Sequence, residues 1–186
     1  LQNPTREHLE KMIAGLESGI DAFALSTGMA AITLLMELFR PGDHLIVEAD
    51  LYGGSIRLFD HVNKKNNYEF THLNCAEDDI EGAIQDNTKA IYIETPTNPM
   101  MNVSDIAAIA EVVHKYDGVL IVDQAHGAHL KFMKDQPQAA EDCGADIIVD
   151  SIHKTLASFT QSAVLHVNSD RISLPILEDR LQKIES

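Results

Sequence analysis

The sequence predicts a three-layer α/β/α fold around a mostly parallel sheet of seven strands, and three observations carry that expectation. Apolar runs of strand length alternate with helix-patterned stretches through nearly all of the 186 residues. Short connections in such an alternation build crossovers and therefore a parallel sheet. The run Val119 to Val122 is apolar at every position, as a strand buried on both faces must be. Polar residues of unlike chemistry then recur where the expected strands end, which is where sheets of this kind hold ligands.

Residues 4–18 read as a helix, with Asn3 as cap, Pro4 in its first turn and Leu9, Met12, Ile13 and Leu16 at helical spacing. Gly19 is expected to stop it. A strand over 21–25 passes through Ser26-Thr27-Gly28-Met29-Ala30-Ala31 into a second helix that reaches about Phe39. Such a junction aims free backbone N–H groups and the positive end of a helix dipole at one spot, although an ordinary N-cap has the same sequence. It has neither the three spaced glycines of a dinucleotide loop nor the Gly-Lys-Ser/Thr of a Walker loop. A strand over 44–48 ends shortly before Tyr52, whose ring either covers a planar ligand or packs. Next come a helix over 55–64, a strand over 68–73, a helix over 77–85 and a strand over 89–94. That strand runs into Thr95-Pro96-Thr97-Asn98-Pro99, where Asn98 is both a potential amide donor to a ligand and half of a routine Asn-Pro turn pair. A helix over 104–116 precedes the strand that ends at Asp123, a carboxylate too costly to bury without a cationic partner. The sixth strand, 146–149, leads into Ser151, His153 and Lys154; the seventh spans 161–167, and a charged helix occupies 173–186.

A net charge of −15 opposes nucleic-acid binding, which needs clustered Lys and Arg. No apolar run approaches the roughly 18–20 residues that span a bilayer, and the first residues lack the basic and apolar regions of a signal peptide. A cytoplasmic protein is expected. Cys75 and Cys143 fit neither a disulfide framework nor a zinc site and read as reduced and structural. His126 and His129 lie three apart, but no carboxylate or cysteine sits at a matching short spacing, so no metal site is expected.

The strand-end residues divide into an anion cradle at Ser26 and the following helix start, an aromatic plate at Tyr52, an amide at Asn98, a carboxylate at Asp123 and an amine at Lys154. A phosphorylated pyridine aldehyde needs that set. Its phosphate takes the cradle, its ring nitrogen the carboxylate, its ring the plate and its aldehyde the lysine. Lysine reacts only as the neutral amine, and its ordinary pKa is about 10.4, so burial or a nearby cation must activate it. Pyridoxal 5'-phosphate is the cofactor that these residues imply.

Over almost its full length the chain resembles the large domain of fold-type I pyridoxal-phosphate enzymes. Up to about Asp123 it is similar to the trans-sulfuration family of cystathionine synthases and lyases, through Asn3-Pro4-Thr5, Ser26-Thr27-Gly28-Met29-Ala30-Ala31, Leu51-Tyr52-Gly53-Gly54 and Glu94-Thr95-Pro96-Thr97-Asn98-Pro99. From Asp123 onward it resembles the ornithine/lysine/arginine decarboxylases, through Asp123-Gln124-Ala125-His126-Gly127-Ala128-His129 and Ser151-Ile152-His153-Lys154-Thr155-Leu156. The two resemblances together suggest a mosaic: a chimera, a reconstruction or a recombinant.

By resemblance Lys154 would hold the cofactor covalently and shuttle protons, Asp123 would pair with the ring nitrogen, and Tyr52 would stack on the ring. Gly28 and Met29, with Ser151 and His153, would hold the phosphate, and Asn98 and His126 would reach the ring hydroxyl. Residues 1–186 then form one cofactor-binding large domain. The N-terminal arm is expected to be absent, because only Leu1-Gln2 precede Asn3, and so is the small C-terminal domain. Arg57, Arg171 and Arg180 are left as candidates for the substrate carboxylate. The resemblance implies a homodimer and elimination or replacement on sulfur amino acids such as cystathionine. The alternatives are decarboxylation of a basic amino acid and a scaffold that binds cofactor with little turnover.

Overall fold

The computed structural model describes residues 3–134 and 139–185. Helix α1 (Pro4–Glu17) is capped by the Asn3 side chain, which accepts from the amides of Thr5 and Arg6. It ends on Ser18 in the left-handed region, one residue before the glycine expected to stop it. Strand β1 (Asp21–Leu25) leads to α2 (Gly28–Met36), and β2 (His44–Glu48) to α3 (Gly53–Arg57). Strands β3 (Glu69–Leu73) and β4 (Thr88–Glu94) follow. The remaining elements are α4 (Ile106–Lys115), β5 (Val119–Asp123), β6 (Ile147–Asp150), the single turn α5 (Ile152–Thr155), β7 (Ala163–Val167) and α6 (Leu174–Glu185).

The seven strands form one sheet in the order β1-β7-β6-β5-β4-β2-β3. Strands β2 to β6 pair in parallel, whereas β7 runs antiparallel to both β6 and β1. The reason is local. Residues 151–162 return the chain along the same sheet edge without a crossover, and neighbouring strands joined in that way must be antiparallel. The amino end of β7 therefore lies beside the carboxyl ends of the other six.

Side-chain alternation divides the core. Leu45, Val47, Tyr92, Ile121, Val149 and Leu165 pack on one face under α2, α3 and α6. Ile46, Ile91, Ile93, Leu120, Val122 and Ile148 pack on the other under Ile106, Ile109 and Val113 of α4. Helix α1 joins that second layer through Ala14 against Ala22 and Val164. The period of two thus puts helices on both sides, as a mainly parallel sheet requires.

Three expected elements differ. The helix over 55–64 starts at Gly53 and loosens into a π turn (Leu58–Val62) and then a 3₁₀ turn (Asn63–Asn66). The helix over 77–85 reduces to a 3₁₀ turn (Glu81–Ala83). There the Asp79 carboxylate accepts from Gly82 N, a donor that a continuous helix would pair with the Asp78 carbonyl, while the Asp78 carboxylate turns back to accept from Asn74 N. Helix α2 stops at Met36, three residues short of Phe39. The expected ends at Leu1-Gln2 and Ser186 lie outside the described residues. Among the described residues no helix is long and apolar enough to cross a membrane.

Candidate functional site

A cavity of about 390 Å³ opens at the sheet edge where β4, β5 and β6 end. Gly28, Met29, Tyr52, Asn98, Asp123, Ser151, His153 and Lys154 all line it, from five separate stretches of chain. Two expected members do not. Ser26 is exposed and outside the lining, because α2 begins at Gly28 and its cap is Thr27, whose Oγ1 accepts from Ala30 N at 3.0 Å. His126 lies behind the lining, with Nε2 3.5 Å from Lys154 Nζ. Burial and the neighbouring Lys154 charge both hold His126 below the ordinary histidine pKa.

The cradle is tight. The first amides of α2 have no partner within the helix, and they face the cavity beside Ser151, which is 6% exposed. A Cβ built on Gly28 would lie 2.7 Å from Ser151 Oγ, so only glycine lets the Ser151 hydroxyl approach the start of α2 this closely. Gly28→Ala is accordingly expected to weaken cofactor affinity by about tenfold or more with the fold retained, read by titrating the cofactor-free protein with pyridoxal phosphate. His153 Nδ1 lies 3.0 Å from the Ser162 carbonyl oxygen. A carbonyl only accepts, so Nδ1 carries the hydrogen and Nε2 is left as the other ring nitrogen.

Tyr52 stands at the start of α3 with its ring 5.7 Å from Lys154 Nζ. Its position is fixed from below: Tyr52 N donates to Glu94 Oε2 at 2.7 Å, and a Cβ on Gly54 would meet the ring at 2.4 Å. Asp123 is 5% exposed; its Oδ2 accepts from the Tyr92 hydroxyl and its Oδ1 from Ala125 N, each at 3.0 Å. Burial pushes its pKa up to about 6, against the pull of these two donors and of Lys154. Lys154 itself is exposed on α5, so burial, one of the two expected means of activating it, is not what the structure provides.

Sequence reasoning missed Thr27, Glu94, Thr160 and Gln161 in the lining. Glu94 has the most consequence. It is 1% exposed, and burial, followed by the Asp123 charge, raises its pKa to about 7. Its signal was legible: Glu94 ends an apolar strand, as Asp123 does. None of Arg57, Arg171 and Arg180 lines the cavity. Arg171 bonds Asp117 at the opposite, amino edge of the sheet.

Both carboxyls have folded pKa values above their unfolded ones, so the unfolded chain releases these protons first. Stability of the cofactor-free protein is then greatest at low pH and falls as pH rises from about 4.5 to about 7 for Glu94, by on the order of 3 kcal/mol at most. Glu94→Gln is expected to flatten that fall, measured as the urea midpoint between pH 5 and 8.

Fold and cavity together define a class of domain: an amine, a buried carboxylate and a helix start beside Ser151 on the ligand-binding edge of such a sheet, the set that pyridoxal phosphate requires. Residues 1–165 match the family described as Cys/Met metabolism PLP-dependent enzyme, and the chain belongs to that family. It is 42% identical to the cystathionine gamma-synthase/O-acetylhomoserine (thiol)-lyase of Bacillus subtilis over 83% of this chain and 40% of that protein. The cystathionine gamma-lyase of Dictyostelium discoideum is 33% identical over 99% of this chain and 47% of its own length. Among solved structures, the cystathionine gamma-lyase of Lactobacillus plantarum complexed with L-serine superposes with a TM-score of 0.84 at 36% identity, over 97% of this chain and 45% of that one. The chain thus spans less than half the length of these relatives. The family match spans both Asp123 and Lys154, and nothing in it supports a decarboxylase segment or a mosaic.

Proposed function

We propose that this chain is the cofactor-binding large domain of a trans-sulfuration enzyme, acting by elimination or replacement at the β or γ carbon of a sulfur amino acid such as cystathionine. The observation that carries it is the meeting of Lys154, the buried Asp123 and the Gly28–Ser151 cradle in one cavity. Likeness to synthases and lyases of cystathionine supports the substrate class. When bound, pyridoxal phosphate supplies an aldehyde carbon and an electron-accepting ring.

Lys154 Nζ is the covalent attachment point and afterwards carries the proton to and from the substrate α carbon. Asp123 holds a proton at the ring nitrogen, where its own raised pKa marks a carboxylate short of positive charge. The amides of Gly28 and Met29, with Ser151 and His153, hold the phosphate. Tyr52 covers the ring, with Glu94 fixing its backbone, while Asn98 and, through a small movement, His126 reach the ring hydroxyl. An arginine for the substrate carboxylate is absent from the described lining, so we assign that role to a part of the protein beyond this cavity. We also propose a homodimer: Met100, Met101 and Phe159, within three residues of the lining residues Asn98 and Thr160 in sequence, are exposed apolar side chains. Size-exclusion mass checks this. Cys75 and Cys143 are in no disulfide, which suits a cytoplasmic location.

The test has two parts. Added cofactor should give a visible absorption band, and the loaded protein should release pyruvate or 2-oxobutyrate from cysteine or cystathionine. Carbon dioxide from ornithine, lysine or arginine would instead favour decarboxylation, and a band with no product from either set would favour a binding scaffold.

A further inference from the structure

Among the described residues, five of the ten buried side-chain polar atoms without a hydrogen-bond partner belong to three residues that meet at one point. Glu17 comes from the last turn of α1, Asp150 from the carboxyl end of β6 and His166 from β7, and their exposures are 3%, 0% and 1%. His166 Nε2 lies 3.1 Å from Glu17 Oε2 and 3.2 Å from Asp150 Oδ2. Neither approach is a hydrogen bond: Glu17 Oε2, both Asp150 oxygens and both His166 nitrogens remain unpartnered. None of the three lines the cofactor cavity, although Asp150 immediately precedes Ser151 in the chain. The group is also distinct from the His126 and His129 pair.

Two buried carboxyls require a positive charge or a proton. Lys131, whose charge reaches Glu17, is already tied to Asp142. A histidine in hydrogen-bond geometry would serve, but this one is not so aligned. The spacing fits a different arrangement. Ligand atoms about 2.1 Å from a common ion lie about 3.0 Å apart at a right angle and about 3.4 Å apart at the tetrahedral angle, which brackets both measured separations. One donor atom from each of the three residues falls within 4.8 Å of the other two. Glu141 Oε2, buried and unpartnered, belongs to a residue that interacts with Glu17 and adds a third acidic group nearby.

We propose that Glu17, Asp150 and His166 form a structural site for one divalent transition-metal ion, zinc by its nitrogen-and-carboxylate donor set. The ion ties α1 to β6 and β7 next to the cofactor cradle. It takes one donor atom from each residue, and so gives a partner to three of the five orphaned atoms.

The experiment uses the full chain before any pyridoxal phosphate is added, because the cofactor binds metals itself. The protein is stripped with a chelator and titrated with zinc alone, then with cobalt(II) as a spectroscopic probe. The expected result is one equivalent retained through gel filtration, a melting temperature raised by several degrees, and visible cobalt absorption of a low-coordinate site. His166→Gln should lose all three. Glu17→Gln is the second variant, of nearly unchanged shape, and should weaken zinc by about tenfold or more with the far-ultraviolet spectrum unchanged. A stripped wild-type chain that neither retains zinc nor gains stability from it overturns the proposal and leaves the cluster balanced by protons. Zinc binding that persists unchanged in both variants overturns it too, by placing the metal elsewhere.

Discussion

Lys154→Ala is expected to abolish the visible band of lysine-bound cofactor and to reduce product release by about 10³-fold or more, the scale of losing both a covalent attachment and a general base. The fold should survive. Lys154 lies exposed on a single helical turn whose backbone bond runs from Lys154 N to the Ser151 carbonyl, so the alanine variant keeps it and opens no core cavity. An exposed truncation of this kind changes stability by roughly half a kcal/mol or less. Lys154→Arg separates charge from chemistry. The guanidinium keeps the positive charge that favours ionised Asp123 and Glu94, yet it cannot give up its proton to act as a nucleophile. Equal loss in both variants, read as the absorption spectrum and single-turnover product, is the expected result; a band that persists in either variant rejects Lys154 as the attachment point.

The sheet was legible because each strand carries its own signal: an apolar run of four or five residues bounded by turn residues, as at Val119 to Val122. The direction of β7 was not. Residues 151–162 contain a one-turn helix and no crossover helix, and a reading that counts only elements treats the last strand like the others. That single reversal hid Thr160 and Gln161, which enter the cavity from the amino end of a strand. The choice between Ser26 and Thr27 was beyond sequence for another reason. Both hydroxyls can cap a helix, and only the observed start at Gly28 selects the second. Glu94 and Asp123, by contrast, obey one rule, a carboxylate closing an apolar strand, and applying it twice finds both. The acidic stretch after β3 was misread as helix because propensity does not show which side chains will seize backbone donors, as Asp78 and Asp79 do. Motif matching misled in a similar way: a few residues around Lys154 suggested a second family, whereas similarity across the whole chain did not.

Asp123→Asn is expected to move stability and function in opposite directions. The shape is kept, and the amide oxygen can still accept from Ala125 N or from the Tyr92 hydroxyl, so the local bonds require only modest rearrangement. In the cofactor-free protein the wild-type carboxylate is buried and raised to about 6, so above that pH it is ionised at a cost. Removing the charge therefore stabilises the cofactor-free fold above pH 6, by up to about 3 kcal/mol, and lowers Glu94 toward its ordinary pKa by removing a like charge. In the loaded protein, on the role proposed for Asp123, the same change would remove the partner of a buried ring-nitrogen proton. Breaking such a pair costs about 3–5 kcal/mol, a factor of roughly 10² to 10⁴ in turnover. Paired urea titrations at pH 7.5 and turnover measurements on one preparation check both signs. If the substitution weakened the cofactor-free fold and left turnover unchanged, Asp123 would be a core residue that happens to end a strand, and the raised carboxylate could not be read as a vacancy for the ring's positive charge.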